Sequence, residues 1–372
     1  MKLAIISPFP PYRGGISKET EVLYNSLKKK HSVTIYNFKR LYPQIIFPGK
    51  SQFLNNYKSP NSIRSIDSLN LLSWHRTAEI INKEKYDKII FRFWHPFLSP
   101  IYSYIISRLK KKDSKIKIFC ICDNIYPHEK TIFDKFLLKI FLKRVDRFLT
   151  MSSITSNQIN KIYPGSNISE IFLPIKDIYG SKISKKIACQ KLNIEYKFNI
   201  LFFGLVRSYK GLDIALKAMK GLIDKNKKFH FIIAGESYEN EDKYLSIIKK
   251  NSLENFVTWH NSYVDDDKIH LYFSASDLVL LPYKHATQSG VIPIAYNFNK
   301  PVVTSNLRGL KEYVDPTMNY LFDVGSHDDL VSLLSNIINT YDYKIIEKNI
   351  KNFKKKFSVK ELNKKIENLI SE

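Results

Sequence analysis

Cysteine is scarce: 372 residues hold only Cys120, Cys122 and Cys189. Their spacing fits neither a disulfide framework nor a zinc site, and two of them lie in one apolar run, so they read as buried small hydrophobes in a reducing compartment. Long hydrophobic runs are also missing. Stretches such as IIFRFW and LVLLPY fall far short of the roughly 20 residues that a membrane-crossing helix needs. Leu3 to Ile6 is too short for a signal-peptide core, so the expectation is a chain that is soluble or lies on a membrane surface. Acidic residues are outnumbered, 35 Asp+Glu against 59 Lys+Arg, for a net charge of +24. That excess implies nucleic acid, anionic lipid or a phosphorylated substrate as partner, and its sign alone does not choose among them. Part of it follows a bias toward Lys, Ile and Asn along the whole chain. No Asp-x-Asp or His/carboxylate cluster suggests a metal site; VDDDK, Val264 to Lys268, reads as an acidic helix start.

What is present is apolar content of 44%, enough for two cores, in line with the roughly two domains that the length suggests. Strand and helix patterns alternate, as in a parallel sheet covered on both faces. The first half predicts strands over Leu3–Ser7, Ser32–Tyr36, Lys88–Phe93, Lys117–Cys122 and Arg147–Met151, with helices near 18–29, 69–84, 101–111, 133–144 and 153–162. The second half restarts with strands over Asn199–Phe203, Phe229–Ala234, Val257–Trp259, Asp277–Leu281, Pro301–Thr304 and Tyr320–Phe322. Between them, Leu173 to Tyr196 contains Pro174 and Gly180 and lacks periodicity until Ala188. The expected division is an N-terminal domain over 1–175 and a C-terminal domain over 176–357. A last amphipathic helix over 358–372, through Leu362, Ile366 and Leu369, is expected to pack back toward the N-terminal domain. Two doubly wound domains would present the carboxyl ends of their strands to a central cleft.

Loops after strands should then carry the chemistry. NILFFGLVRSYKGLDIALKAM, Asn199 to Met219, runs from a buried strand through Gly204 into an amphipathic helix and places Arg207 and Lys210 in the short connection. Such a turn aims free backbone N–H groups and the positive end of the helix dipole at one point, and the two side chains add full charges there. That is a site for an anion. In PYKHATQSGVIPIAY, Gln288, Ser289 and Gly290 precede another short helix at Val291, a second anion-binding loop in the same domain. In the first domain SPFPPYRGGISKE brings Gly14 and Gly15 to a helix start capped by Ser17. A plain glycine turn entering a helix is the alternative there.

FFGLVRSYKGLDIALKAM, FIIAGE and LVLLPYKHATQSGVIPIAYNFNKPVVTSNLRGLKE, in that order and at those spacings, resemble the donor-binding domain of family-4 glycosyltransferases of the GT-B fold. The Gly14–Gly15 loop, CDNIYPHEK and VDRFLTMSS are similar to the family's N-terminal half. The resemblance implies an α/β chain of two Rossmann-like domains, and a retaining hexosyltransferase that moves a sugar from a nucleoside-diphosphate donor to an acceptor hydroxyl. It implies that Arg207 and Lys210 bind the diphosphate and stabilise the charge growing on the leaving phosphate, with no metal or other cofactor. Backbone groups at Ser289, Gly290 and Val291 would hold donor phosphate and sugar, and the main chain near Tyr263 the base. Glu312 of GLKE matches an acidic position of the family, although a carboxylate at a helix N-terminus would account for it equally well.

The chain departs from the family at two glutamates that contact donor sugar and ribose, since no Asp or Glu occurs between Asp277 and Glu312. Thr287 or Gln288 stands near the first position and Ile294 or Ala295 near the second, which leaves sugar identity and the ribose contact open. Gln288 can hydrogen-bond sugar hydroxyls through both its carbonyl and its amide. In ICDNIYPHEK, Asp123 could polarise a hydroxyl and His128 could orient acceptor or donor, or both could belong to a capped turn. Trp94 and His95 in RFWHPFLSP could stack on an acceptor sugar or simply pack a strand end.

FDKFLLKIFLKRVDR puts Lys135, Lys139 and Lys143 on one face, and SRLKKKDSKIK adds basic residues; either anionic lipid or plain solvent could meet them. The lipid alternative suits a lipid-linked saccharide acceptor, bacterial surface polysaccharide synthesis of O-antigen or capsule type, and a cytoplasmic protein peripheral on the inner face of the membrane. Nucleic acid is not expected, because no recognition helix or single-strand aromatic motif stands out. The competing readings are a GT-B nucleotide-sugar epimerase or hydrolase, and a non-catalytic scaffold that binds nucleotide-sugar or an anionic surface.

Overall fold

Consecutive apolar residues form the central strands, because a strand buried on both faces of a sheet needs no polar alternation. The structure, a computed structural model, describes residues 1–43, 47, 51–54, 62–126, 132–318 and 320–371. Its first sheet holds β1 (Lys2–Ile6), β2 (Ser32–Arg40), β3 (Ser62–Asp67), β4 (Lys88–Phe93), β5 (Lys117–Cys122), β6 (Arg147–Thr150) and β7 (Ile168–Glu170). All pairings are parallel, in the order β3-β2-β1-β4-β5-β6-β7. The second holds β8 (Asn199–Phe203), β9 (His230–Ala234), β10 (Val257–His260), β11 (Leu278–Leu281), β12 (Val302–Ser305) and β13 (Leu321–Phe322), also parallel, in the order β10-β9-β8-β11-β12-β13. In each sheet the winding reverses beside the first strand, between β1 and β4 and between β8 and β11. Crevices at such switch points are where Rossmann-like sheets bind ligands.

The chain divides into two compact units, Met1–Phe172 with Leu362–Glu372, and Leu173–Glu361. The last helix, Val359–Ser371, buries Leu362, Ile366, Leu369 and Ile370. Within the first unit its Glu367 lies 3.0 Å from His31 Nε2, and Lys365 donates to the Glu170 carbonyl at 2.6 Å. In the second unit the helix Leu212–Asp224 buries Leu212, Ala215, Leu216, Met219 and Leu222, the i, i+3, i+4 stripe of an amphipathic helix. Each large side chain so covered contributes about 1.5–3 kcal/mol. Among the described residues no helix is long and apolar enough to cross a membrane.

Two local expectations need correction. The helix Gly15–Leu27 has Gly14 as its N-cap, at φ +103°, with no side-chain cap. Ser17 sits inside the first turn, and its buried Oγ meets no partner among the described residues; the left-handed turn at Gly14 starts the helix ahead of it. The segment before Tyr196 also holds a helix, Lys185–Leu192, started by the Ser184 side chain accepting from Ile187 N–H. Only Ala188 and Cys189 are buried on it, too few to produce a periodic pattern.

Candidate active site

Two loops at the carboxyl edge of the second sheet are pressed together by glycines. Gly204 ends β8 at φ +96°, and a Cβ there would stand 3.0 Å from Lys210 Nζ, so the lysine folds back over the strand end. Gly211 starts the following helix at φ +68°, where a Cβ would stand 1.9 Å from the Pro282 carbonyl oxygen, just past β11. Lys284 locks this contact: its N–H donates to the Tyr209 carbonyl at 2.7 Å and its Nζ to Asp213 at 2.8 Å.

Lys210 is only 9% exposed. Its ammonium lies 5.7 Å from the Tyr283 ring centroid and makes no hydrogen bond or ion pair to a described residue. Burial, and next the Arg207 charge, push its pKa from 10.5 down to about 7. Arg207 is half-buried, its guanidinium carbon 5.0 Å from the Tyr238 ring centroid, and it too has no described hydrogen-bond acceptor. Two cations in one turn, neither bonded to a carboxylate among the described residues, are costly, and an entering anion relieves the cost.

The other expected donor residues lie at the same edge of this unit. Ser289 is buried; its Oγ accepts from Val291 N–H at 3.3 Å and lies 3.5 Å from the Tyr283 hydroxyl. Gly290 is exposed, with no atom within 4 Å of where a Cβ would stand. Gln288 and Thr287 are half-buried just ahead of them. Ala295 is fully buried and Ile294 half-buried, and their hydrocarbon side chains offer a ribose no hydrogen bond. Tyr263 is half-buried in the loop after β10. Glu312 follows the short helix Arg308–Lys311 after β12, its Oε1 3.7 Å from Arg308 Nε.

In the first unit Asp123 directly follows β5. Arg92 Nε and Nη2 each donate to one of its carboxylate oxygens at 2.7 Å. Little in the sequence points to this partner: one arginine in the run IIFRFW, whose mate stands 31 positions away. His128 lies outside the described residues. Trp94 and His95 follow β4 and are half-buried. Trp94 Nε1 donates to the Tyr42 hydroxyl at 3.0 Å, and His95 Nδ1 accepts from Phe97 N–H at 3.2 Å. Burial lowers the His95 pKa, the Asp134 charge opposing it, which favours neutral imidazole. Gly14 and Gly15 have open space where a Cβ would stand.

Comparison with known proteins adds to this geometry. Residues 197–340 match the family model described as Glycosyl transferases group 1. The group 1 match takes in all six strands of the second sheet and both glycine-bound loops. The chain is 24% identical over 245 residues to an uncharacterised 41.2 kDa protein in the cps region of Klebsiella pneumoniae, covering 63% of this chain and 57% of that one. It is 27% identical over 143 residues to the GDP-mannose:glycolipid 4-beta-D-mannosyltransferase of Xanthomonas campestris pv. campestris, covering 38% and 39%. The chain thus spans little more than half, or less, of these relatives' own lengths. Among solved structures, Anabaena Alr3699/HepE in complex with UDP superposes with a TM-score of 0.76 over 100% of both chains at 17% identity. The fold is GT-B.

Proposed function

We propose that this protein is a retaining glycosyltransferase that moves a hexose from a nucleoside-diphosphate sugar to an acceptor hydroxyl. The observation that carries the reading is Lys210, a buried ammonium beside Arg207 with no anionic partner among the described residues, at the carboxyl end of a parallel sheet. As the bond from sugar to diphosphate breaks, negative charge grows on the leaving phosphate. Cations already fixed at that point stabilise the transition state more than the ground state. They supply charge that a metal would otherwise bring, so turnover is expected to survive chelation by EDTA.

In this reading the backbone of Ser289, Gly290 and Val291 and the Gln288 amide hold the donor phosphate and sugar. Glu312 faces the sugar, and the main chain near Tyr263 takes the base. Trp94 and His95 receive the acceptor, and His128 orients it. Asp123, expected to polarise a hydroxyl, has both carboxylate oxygens engaged by Arg92 and in this reading serves to hold the end of β5. The Klebsiella relative of the cps region and the glycolipid mannosyltransferase support a lipid-linked saccharide acceptor in surface polysaccharide synthesis. The helix Ile132–Leu142 supports work at the inner face of the cytoplasmic membrane, for it exposes Phe133 and Phe136 beside Lys135 and Lys139.

Calorimetric titration with UDP, GDP and ADP tests the reading. One nucleotide should bind well, and both Lys210→Ala and Arg207→Ala should weaken it severely while circular dichroism stays unchanged. Equal weak binding of all three, indifferent to either substitution, would refute it.

A further inference from the structure

The loop that follows β9 grips the turn carrying Arg207 at successive residues. Val206 and Ser237 form a parallel bridge, in which Val206 N–H donates to the Glu236 carbonyl at 2.9 Å and Tyr238 N–H to the Val206 carbonyl at 3.0 Å. One position on, the Arg207 guanidinium stands over the Tyr238 ring, 5.0 Å from its centroid. At the next, Ser208 N–H donates to one carboxylate oxygen of Glu239, and the Tyr244 hydroxyl donates to the other at 3.0 Å. Ser237 fixes Glu239 in turn, its Oγ donating to the Glu239 carbonyl at 2.9 Å and accepting from the Glu239 N–H at 3.4 Å.

The arginine is therefore held by its backbone on both sides and by the contact of its guanidinium with the Tyr238 ring. A contact with an aromatic ring uses none of the guanidinium N–H donors, which all lie in its plane. Those of Arg207 have no described acceptor. The nearby Glu239 makes no direct bond to the guanidinium: its oxygens accept from the Ser208 N–H and the Tyr244 hydroxyl.

We propose that Tyr238 and Glu239 are positioning residues for Arg207. Tyr238 is the platform beneath the guanidinium and Glu239 the clamp on the following peptide, and together they present a planar, two-pronged donor edge to one phosphate of a nucleoside diphosphate. This role rests on the donor-binding reading above. The test is calorimetry with UDP, GDP and ADP on the full chain, together with the ¹⁵N–¹H NMR signal of Arg207 Nε, assigned through Arg207→Lys. Tyr238→Ala and Glu239→Ala should each weaken the preferred nucleotide about five- to tenfold and move the Nε–H signal out of the shielding of the Tyr238 ring, with the unfolding midpoint in urea unchanged. Tyr238→Phe keeps the ring and Glu239→Gln keeps an acceptor oxygen, so each should restore binding to within about twofold of wild type. Alanine variants that bind like wild type, conservative variants as weak as the alanine ones, or an unmoved Nε–H signal would each overturn the role. Wild-type protein that binds none of the three nucleotides would instead sink the donor-binding reading and take this role with it, whatever the variants do.

Discussion

Arg92 and Asp123 meet in a two-pronged ion pair across neighbouring strand ends, their side chains 3% and 7% exposed. Arg92 belongs to β4, and Asp123 N–H donates to the carbonyl of the next β4 residue, Phe93, at 2.9 Å. Removing one partner strands the other charge away from water. Arg92→Ala or Asp123→Ala should each cost about 3–5 kcal/mol in urea unfolding, and the double variant Arg92→Met with Asp123→Leu should cost less than either. Additive losses would show that the pair is not the unit of stability.

Lys210 has a pH signature. Its folded pKa, about 7, lies below the 10.5 of an unperturbed lysine. The unfolded chain therefore binds more protons than the folded one across that window. The destabilising contribution is present in full below the folded pKa, and stability rises as pH climbs from about 7 toward 10.5. A bound diphosphate favours the ammonium form, so affinity should fall as pH rises past neutrality and binding should take up protons. Titrations near pH 8, in buffers of different ionisation enthalpy, should show that uptake in wild type and lose it in Lys210→Arg, which stays charged. Buffer-independent heats in wild type would contradict it.

Gly211 is a steric prediction. A side chain at φ +68° with its first carbon 1.9 Å from the Pro282 oxygen cannot fit without separating two loops. Gly211→Ala should destabilise by more than about 1 kcal/mol in chemical denaturation and weaken nucleotide binding, while Gly165→Ala, at φ +78° with open space around it, should leave binding intact.

Membrane contact through the helix Ile132–Leu142 predicts a separation of stability from localisation. Phe133 and Phe136 are 75% and 65% exposed, so replacing both with Ser should change unfolding by less than about 0.5 kcal/mol. The same change should reduce co-sedimentation with phosphatidylglycerol vesicles. Equal, salt-insensitive partitioning into phosphatidylglycerol and phosphatidylcholine vesicles would exclude this basic, aromatic face as the anchor.

Reading the sequence recovers most of the strands, because continuous apolar runs such as LAII and ILFF have few other destinations. It misses β3 and β7, whose sequences SIRSID and ISE are polar because they occupy the two edges of the first sheet. At the site, the turn of Arg207 and Lys210 is legible because glycine, charge and helix follow one another along the chain. Arg92 beside Asp123, and Tyr238 with Glu239 beside Arg207, are illegible for one reason: each pairing is made by strand register between segments about 30 residues apart. Ser17 misleads as a cap because the conformation of Gly14 decides where that helix starts.

The last helix carries a consequence for how the molecule is made. Its residues complete the unit formed by Met1–Phe172, yet the ribosome reaches them only after it has synthesised Leu173–Glu361. The second unit can fold as it emerges. The first gains the contacts of that helix with His31 and Glu170 only afterwards, so the unit begun earlier is completed later.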